Sequence, residues 1–171
     1  MTKVIGIDPG LAATGIGIVT GKGITIQQYS YGSIHTSART ALPLRLQHIY
    51  SRLDRILSDE NPELMIVEDI FSLDKFPRSG IVLGKVTGVI LLAGADHHIS
   101  VLEVLVREAK QVLTGNGNAS KRQMEKAVRS RLSLTAPIHP DHASDALGLA
   151  IIGLLRHQDI DPSPLKSKRT S

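Results

Sequence analysis

The run Val4-Ile5-Gly6-Ile7-Asp8-Pro9-Gly10 decides how the chain folds, because apolar residues deliver a carboxylate to a Pro-Gly turn. Residues 3 to 8 read as a buried strand that stops at that turn. Taken alone, Asp8 also suits a turn cap, since Asp before Pro and Gly accepts backbone hydrogen bonds. Thr14 to Thr20 reads as a second strand whose alternating glycines imply close backbone approach. A Gly-Lys-Gly turn at 21 to 23 leads into a third strand near 24 to 34, so the three strands form an antiparallel meander.

Further along, Leu42, Leu46, Ile49, Leu53 and Ile56 recur at spacings of four and three, one face of an amphipathic helix ending before Pro62. Leu64-Met65-Ile66-Val67-Glu68 is a short apolar run of strand type. A helix between meander and strand suits a crossover, which places this strand parallel to that of Asp8. Residues 79 to 95 form a second helix with Gly80, Gly84 and Gly88 as a ridge, for which packing on the sheet is favoured over packing on a second subunit although both are physically reasonable. Ile99 to Val104 is a fifth strand, Ser120 caps a helix through Arg131, and a proline-bracketed loop precedes a largely buried helix from Asp141 to about Arg156.

At 171 residues the chain suits one domain, set at 1–157, with 158–171 as a flexible basic tail. No cysteine is present, so thiolate metal sites and disulfides are excluded while hard-metal chemistry stays open. With no charged leader, and apolar stretches broken short of a bilayer span, the expectation is a soluble cytoplasmic protein. Of the net charge of +4, Lys166, Lys168 and Arg169 supply three, leaving +1 for residues 1 to 164. Locally, Arg107, Lys110, Lys121, Arg122, Lys126, Arg129 and Arg131 stand against only Glu108 and Glu125. Such a patch attracts phosphate backbones, although a solvated basic helix has the same composition.

Glu68 ends an apolar strand and is followed by Asp69; only one of the two can follow the strand's outward alternation, and Glu68 is the choice. In the last helix, spacings of four and three let Asp141, His142 and Asp145 share one face. A place at the helix start, where an acid stabilises the dipole, is one account of Asp141, whereas Asp145 sits a turn in, beside a buried apolar face, where a charge needs a partner or a metal. Carboxylates gathered at strand ends and a helix start are the hard oxygen ligands of a divalent-metal phosphodiesterase.

Gly6-Ile7-Asp8-Pro9-Gly10, Val67-Glu68-Asp69-Ile70-Phe71, Arg107-Glu-Ala-Lys-Gln111 with Gly115-Asn-Gly117, and Asp141-His-Ala-Ser-Asp-Ala-Leu147, in that order, resemble the RuvC family of Holliday-junction resolvases over about residues 3 to 156. The resemblance implies an α/β protein of RNase H-like fold, a five-stranded mixed sheet flanked by helices, in which an antiparallel meander precedes parallel strands. It implies a homodimer that nicks four-way DNA junctions in recombination and repair, with RuvA and RuvB as partners. The implied catalytic and metal set is Asp8, Glu68, His142 and Asp145, holding two Mg²⁺ ions roughly 3.5 to 4 Å apart with Mn²⁺ as substitute. Phe71 matches a base-stacking position, Lys110 and Lys121 match basic positions near the scissile phosphate, and Gly115 and Gly117 would let backbone approach DNA. Phe76 and Asp141 are left without a firm role.

Three rivals share some of these features. A sugar-kinase or actin-like ATPase also starts with a strand ending in Asp-x-Gly, but needs a second phosphate-binding turn and more chain. A junction-binding scaffold without catalysis, and an RNase H-like nuclease acting on RNA, are the other two.

Overall fold

In a computed structural model, residues 1–69 and 77–156 are described. Strands β1 (Thr2–Asp8), β2 (Ala13–Lys22) and β3 (Thr25–His35) form the expected meander. Helix α1 (Leu42–Glu60) crosses to β4 (Leu64–Asp69), and α2 (Pro77–Asp96) crosses to β5 (Ser100–Leu105). The sheet order is β3-β2-β1-β4-β5, with β4 parallel to both β1 and β5. Helices α3 (Val106–Thr114), α4 (Lys121–Arg131) and α5 (Asp141–Arg156) complete the chain. The RNase H-like, mixed five-stranded expectation is met.

The sheet separates two cores. On one face α1 and α2 bury Ile49, Leu53, Leu57, Val86 and Ile90 against Ile5, Ile7, Met65 and Val67. On the other, α3, α4 and α5 bury Leu113, Met124, Leu147 and Ile151 against Val4, Val19, Leu64 and Ile66. Alternation along β1 therefore sends Val4, Gly6 and Asp8 to the α5 face, and along β4 it sends Leu64, Ile66 and Glu68 there too. The pairing of Ile7 with Val67 puts Asp8 and Glu68 on neighbouring strands one residue further on.

Glycine sets how closely α5 approaches. A Cβ on Gly15 would stand 2.1 Å from the His142 carbonyl oxygen, and one on Gly17 would stand 2.4 Å from the Leu147 nitrogen. Helix backbone thus lies directly on strand backbone, as the alternating glycines of β2 imply.

Three expectations need correction. The ridge of α2 does not pack on the sheet: Gly84 and Gly88 are exposed, and the close contact falls at Gly94, where a Cβ would stand 2.3 Å from Met65 Cε. The buried face of α2 is instead its Val86, Ile90 and Ala93 side. Residues 79–96 are also, by length and composition, enough to cross a bilayer, with a mean hydropathy of 1.5, so not every apolar stretch falls short. Finally, α3 has no counterpart in the sequence reading. It begins at Leu105 with no side-chain cap, so the usual start signal is missing. Ser120, in contrast, makes a full capping box with Gln123. The boundary at 157 and the tail, like Phe71 and Phe76, lie outside the described residues.

Candidate active site

Asp8 leaves the end of β1 on the α5 face, and its carboxylate is buried. It does not cap the turn that follows; Thr14 holds that turn by donating its hydroxyl to the Gly10 carbonyl at 2.7 Å. Asp8 meets His142 instead, with His142 Nδ1 at 2.6 Å from Asp8 Oδ2. Because an ionised carboxylate only accepts, that nitrogen is the donor, and Nε2 is the ring nitrogen left outside this bond.

Glu68 arrives beside them from β4. Burial, then the charges of Asp8 and Asp145 and a hydrogen bond to Asp8, push its carboxyl up to about 8, against the opposing pull of Lys121. A carboxyl raised in this way holds its proton more tightly than a free glutamate does. Asp145 is raised as well, first by burial and next by Asp8, while Lys121 and His142 work the other way. Lys121 Nζ lies 3.9 Å from Asp145 Oδ2.

These four groups open into one cavity of about 200 Å³, which Lys110 and Lys121 also line. Its apolar wall is Val106, Ala109, Met124 and Leu149, none singled out from the sequence, where core positions and site walls share one apolar pattern. Asp141 is not in it; although four residues from Asp145, it lines an adjoining cavity of about 230 Å³ with Arg122, His139 and Ser144. The Asp145 side chain borders both spaces, so the shared helix face is split between them. Gly115 and Gly117 do not border the catalytic cavity. Gly115 ends α3 at φ 75°, and the Gly117 N–H donates to Gln111 Oε1 at 3.0 Å.

Among the described residues, no three His, Asp or Glu side chains are arranged around a common cation position. The donor set nevertheless fits a hard divalent ion. Buried Asp8 and the half-buried Glu68 and Asp145, with burial first and mutual repulsion next raising Glu68 to about 8, are an arrangement that a cation relieves.

A profile of the family described as crossover junction endodeoxyribonuclease RuvC matches residues 4–153. The chain belongs to the RuvC family. The RuvC endonuclease of Carboxydothermus hydrogenoformans is 38% identical over 154 residues, 90% of this chain and 96% of that protein. That of Alkaliphilus oremlandii is 36% identical over 148 residues, 86% of this chain and 90% of that protein. Among solved structures, Thermus thermophilus RuvC in complex with Holliday junction substrate superposes with a TM-score of 0.86 at 28% identity, covering 93% of this chain and 96% of that one. A yeast mitochondrial Holliday junction resolvase, 14% identical with a TM-score of 0.60, shares the fold.

Proposed function

We propose that this RuvC-family nuclease resolves Holliday junctions by paired symmetric nicks, with Asp8, Glu68, His142 and Asp145 as its catalytic set. The convergence of those four side chains with Lys110 and Lys121 in one cavity carries the reading. Asp8, Glu68, His142 and Asp145 would hold two Mg²⁺ ions, with Mn²⁺ substituting, whose chemistry is that of a Lewis acid on the scissile phosphate and the attacking water. The rest is done by the chain. Lys110 and Lys121 draw the phosphate into the cavity and offset its charge. The His142 Nδ1–H holds Asp8 in orientation, and the free Nε2 is placed to ligate or to take up a proton. The apolar wall of Met124 and Leu149 limits water on one side of the reacting phosphate.

Two nicks related by symmetry call for two such sites, hence a homodimer with C₂ symmetry. The outer face of α2 supports it: Ile81, Gly84, Gly88, Leu92 and Ala95 lie exposed along one side of the helix, with Ile81 and Leu92 more than half exposed. Small residues along such a stripe let two helices approach closely. RuvA and RuvB are the proposed partners and the cytoplasm or nucleoid the proposed location, both through the family. Comparing cleavage of a four-way junction, a linear duplex and an RNA–DNA hybrid tests this reading against a nuclease that acts on RNA.

A further inference from the structure

Between Asp8 and Asp54 the chain carries no acid at all, yet it carries Lys22, Arg39, Arg45 and Arg52. Two of these, Arg39 and Arg45, follow Thr36, whose backbone N–H and side chain are bonded to the Leu11–Ala12 turn that follows Asp8. Arg45, partly buried near the start of α1, donates from Nε to Thr36 Oγ1 at 2.7 Å and from Nη2 to the Leu11 carbonyl at 3.2 Å. The Thr36 hydroxyl donates in turn to the same Leu11 carbonyl. Leu11 is three residues after Asp8, so at most about 11 Å of chain separates their Cα atoms, some three base-pair rises of B-DNA.

Arg39 projects from the short turn before α1, which Ser37 orders: its carbonyl accepts the Thr40 N–H at 3.1 Å and its hydroxyl accepts the Arg39 N–H at 3.2 Å. The Arg39 side chain is exposed. Among the described residues, the ion pairs formed involve neither arginine. Arg45 is thus a guanidinium fixed by two neutral acceptors, with N–H groups to spare and no carboxylate paired with it among the described residues.

The two layers of the fold make this placement informative. Lys110 and Lys121 belong to α3 and α4, on one face of the sheet, whereas α1 packs on the other. Cations from both layers therefore flank the carboxylate edge. A strand whose scissile phosphate is held over Asp8 and Glu68 has backbone running away in both directions, and Lys110 with Lys121 serves only one of them.

We propose that Arg39 and Arg45 form a second phosphate-binding patch, which grips the duplex arm leaving the scissile phosphate on the α1 side. The inference rests on the junction reading for the identity of the arm and on charge and geometry for the contact. Phosphate contacts of this kind position DNA without reading its sequence.

The test is the salt dependence of binding, measured in an Asp8→Asn background so that bound DNA stays uncut. A four-way junction and a linear duplex of matching arm length are compared. Arg39→Gln and Arg45→Gln should each lower the slope of log affinity against log salt by about 0.9, weakening binding about fivefold at 0.15 M salt. Arg45→Lys should keep the slope, because it keeps the charge while losing the fork to Thr36 and Leu11. Unchanged slopes in both glutamine variants would overturn the patch, and so would a slope lost equally in Arg45→Lys, the mark of a merely structural arginine. A parent protein that binds junction no better than linear duplex would instead strike the junction reading; the slope change on linear duplex still decides the patch.

Discussion

His142 Nδ1 and Asp8 Oδ2, from residues 134 positions apart in the chain, stand 2.6 Å from each other. The bond ties the N-terminus of α5 to the end of β1 and leaves one imidazole nitrogen available at the cavity. Imidazole is a softer ligand than carboxylate, and Mn²⁺, a transition-metal ion, accepts a nitrogen ligand more readily than Mg²⁺ does. His142→Asp should therefore keep cleavage but shift the ratio of Mg²⁺- to Mn²⁺-supported rates toward Mg²⁺. An unchanged ratio, with an unchanged pH profile, would remove His142 from the ligand set.

The raised carboxyl of Glu68 gives a stability test without DNA. Its value of about 8 in the fold lies above the ordinary 4.5. The folded state thus binds this proton more tightly, an advantage complete below pH 4.5 and lost as pH rises through about 8. In EDTA, the stability of the parent relative to Glu68→Gln should fall by on the order of 2–4 kcal/mol between pH 5 and pH 8.5. Denaturant unfolding at both pH values checks it. Mg²⁺ added at the higher pH should recover much of the loss in the parent and far less in the variant.

Gly15 offers a packing test with an internal control on the neighbouring strand. Alanine at Gly15 drives a methyl into the His142 carbonyl, 2.1 Å away, whereas Gly32 has nothing within 4 Å. Gly15→Ala should cost about 1–3 kcal/mol and lower cleavage by displacing His142. Gly32→Ala should stay within about 0.5 kcal/mol, with full activity. Thermal unfolding and junction cleavage of the pair distinguish a specific close approach from general intolerance of the sheet.

The exposed stripe of α2 bears on subunit number. Leu92→Glu places a charge on a face that the proposed dimer buries, without touching the core side at Val86 and Ile90. Sedimentation should show a monomer, and any residual cleavage should give single nicks instead of paired ones. A variant that remains dimeric would move the interface elsewhere.

Much of this site was legible in the sequence because strand alternation is strict. Leu64 to Glu68 must send Glu68 to the same face as Leu64 and Ile66, so parity separates Glu68 from Asp69; with both faces of the strand buried, it is the shared α5 side with Asp8 that favours Glu68. The meander, α1 and the Ser120 cap were equally clear, each carrying a local signal. Helix α3 carried none, beginning directly after β5 at an uncapped Leu105. Asp141 shows a different limit. Helical spacing places it beside Asp145, but the close seat of α5 on Gly15 and Gly17 decides which residues turn toward Asp8, and His142 takes that place. The outward turn of Gly84 and Gly88 was hidden for a related reason, since a glycine ridge permits close packing without naming the surface it meets.

The most direct measurement is strand-by-strand mapping of products from a four-way junction, a linear duplex and an RNA–DNA hybrid incubated with Mg²⁺, using the parent and the Asp8→Asn, Glu68→Gln and Asp145→Asn variants. The expected result is paired symmetric nicks on the junction alone. Each substitution should cut the rate by at least about a hundredfold while junction binding survives, as for an interaction made only in the transition state. Comparable cutting of the linear duplex or the hybrid, or near-normal cleavage by Asp8→Asn, would contradict a junction resolvase built on these carboxylates.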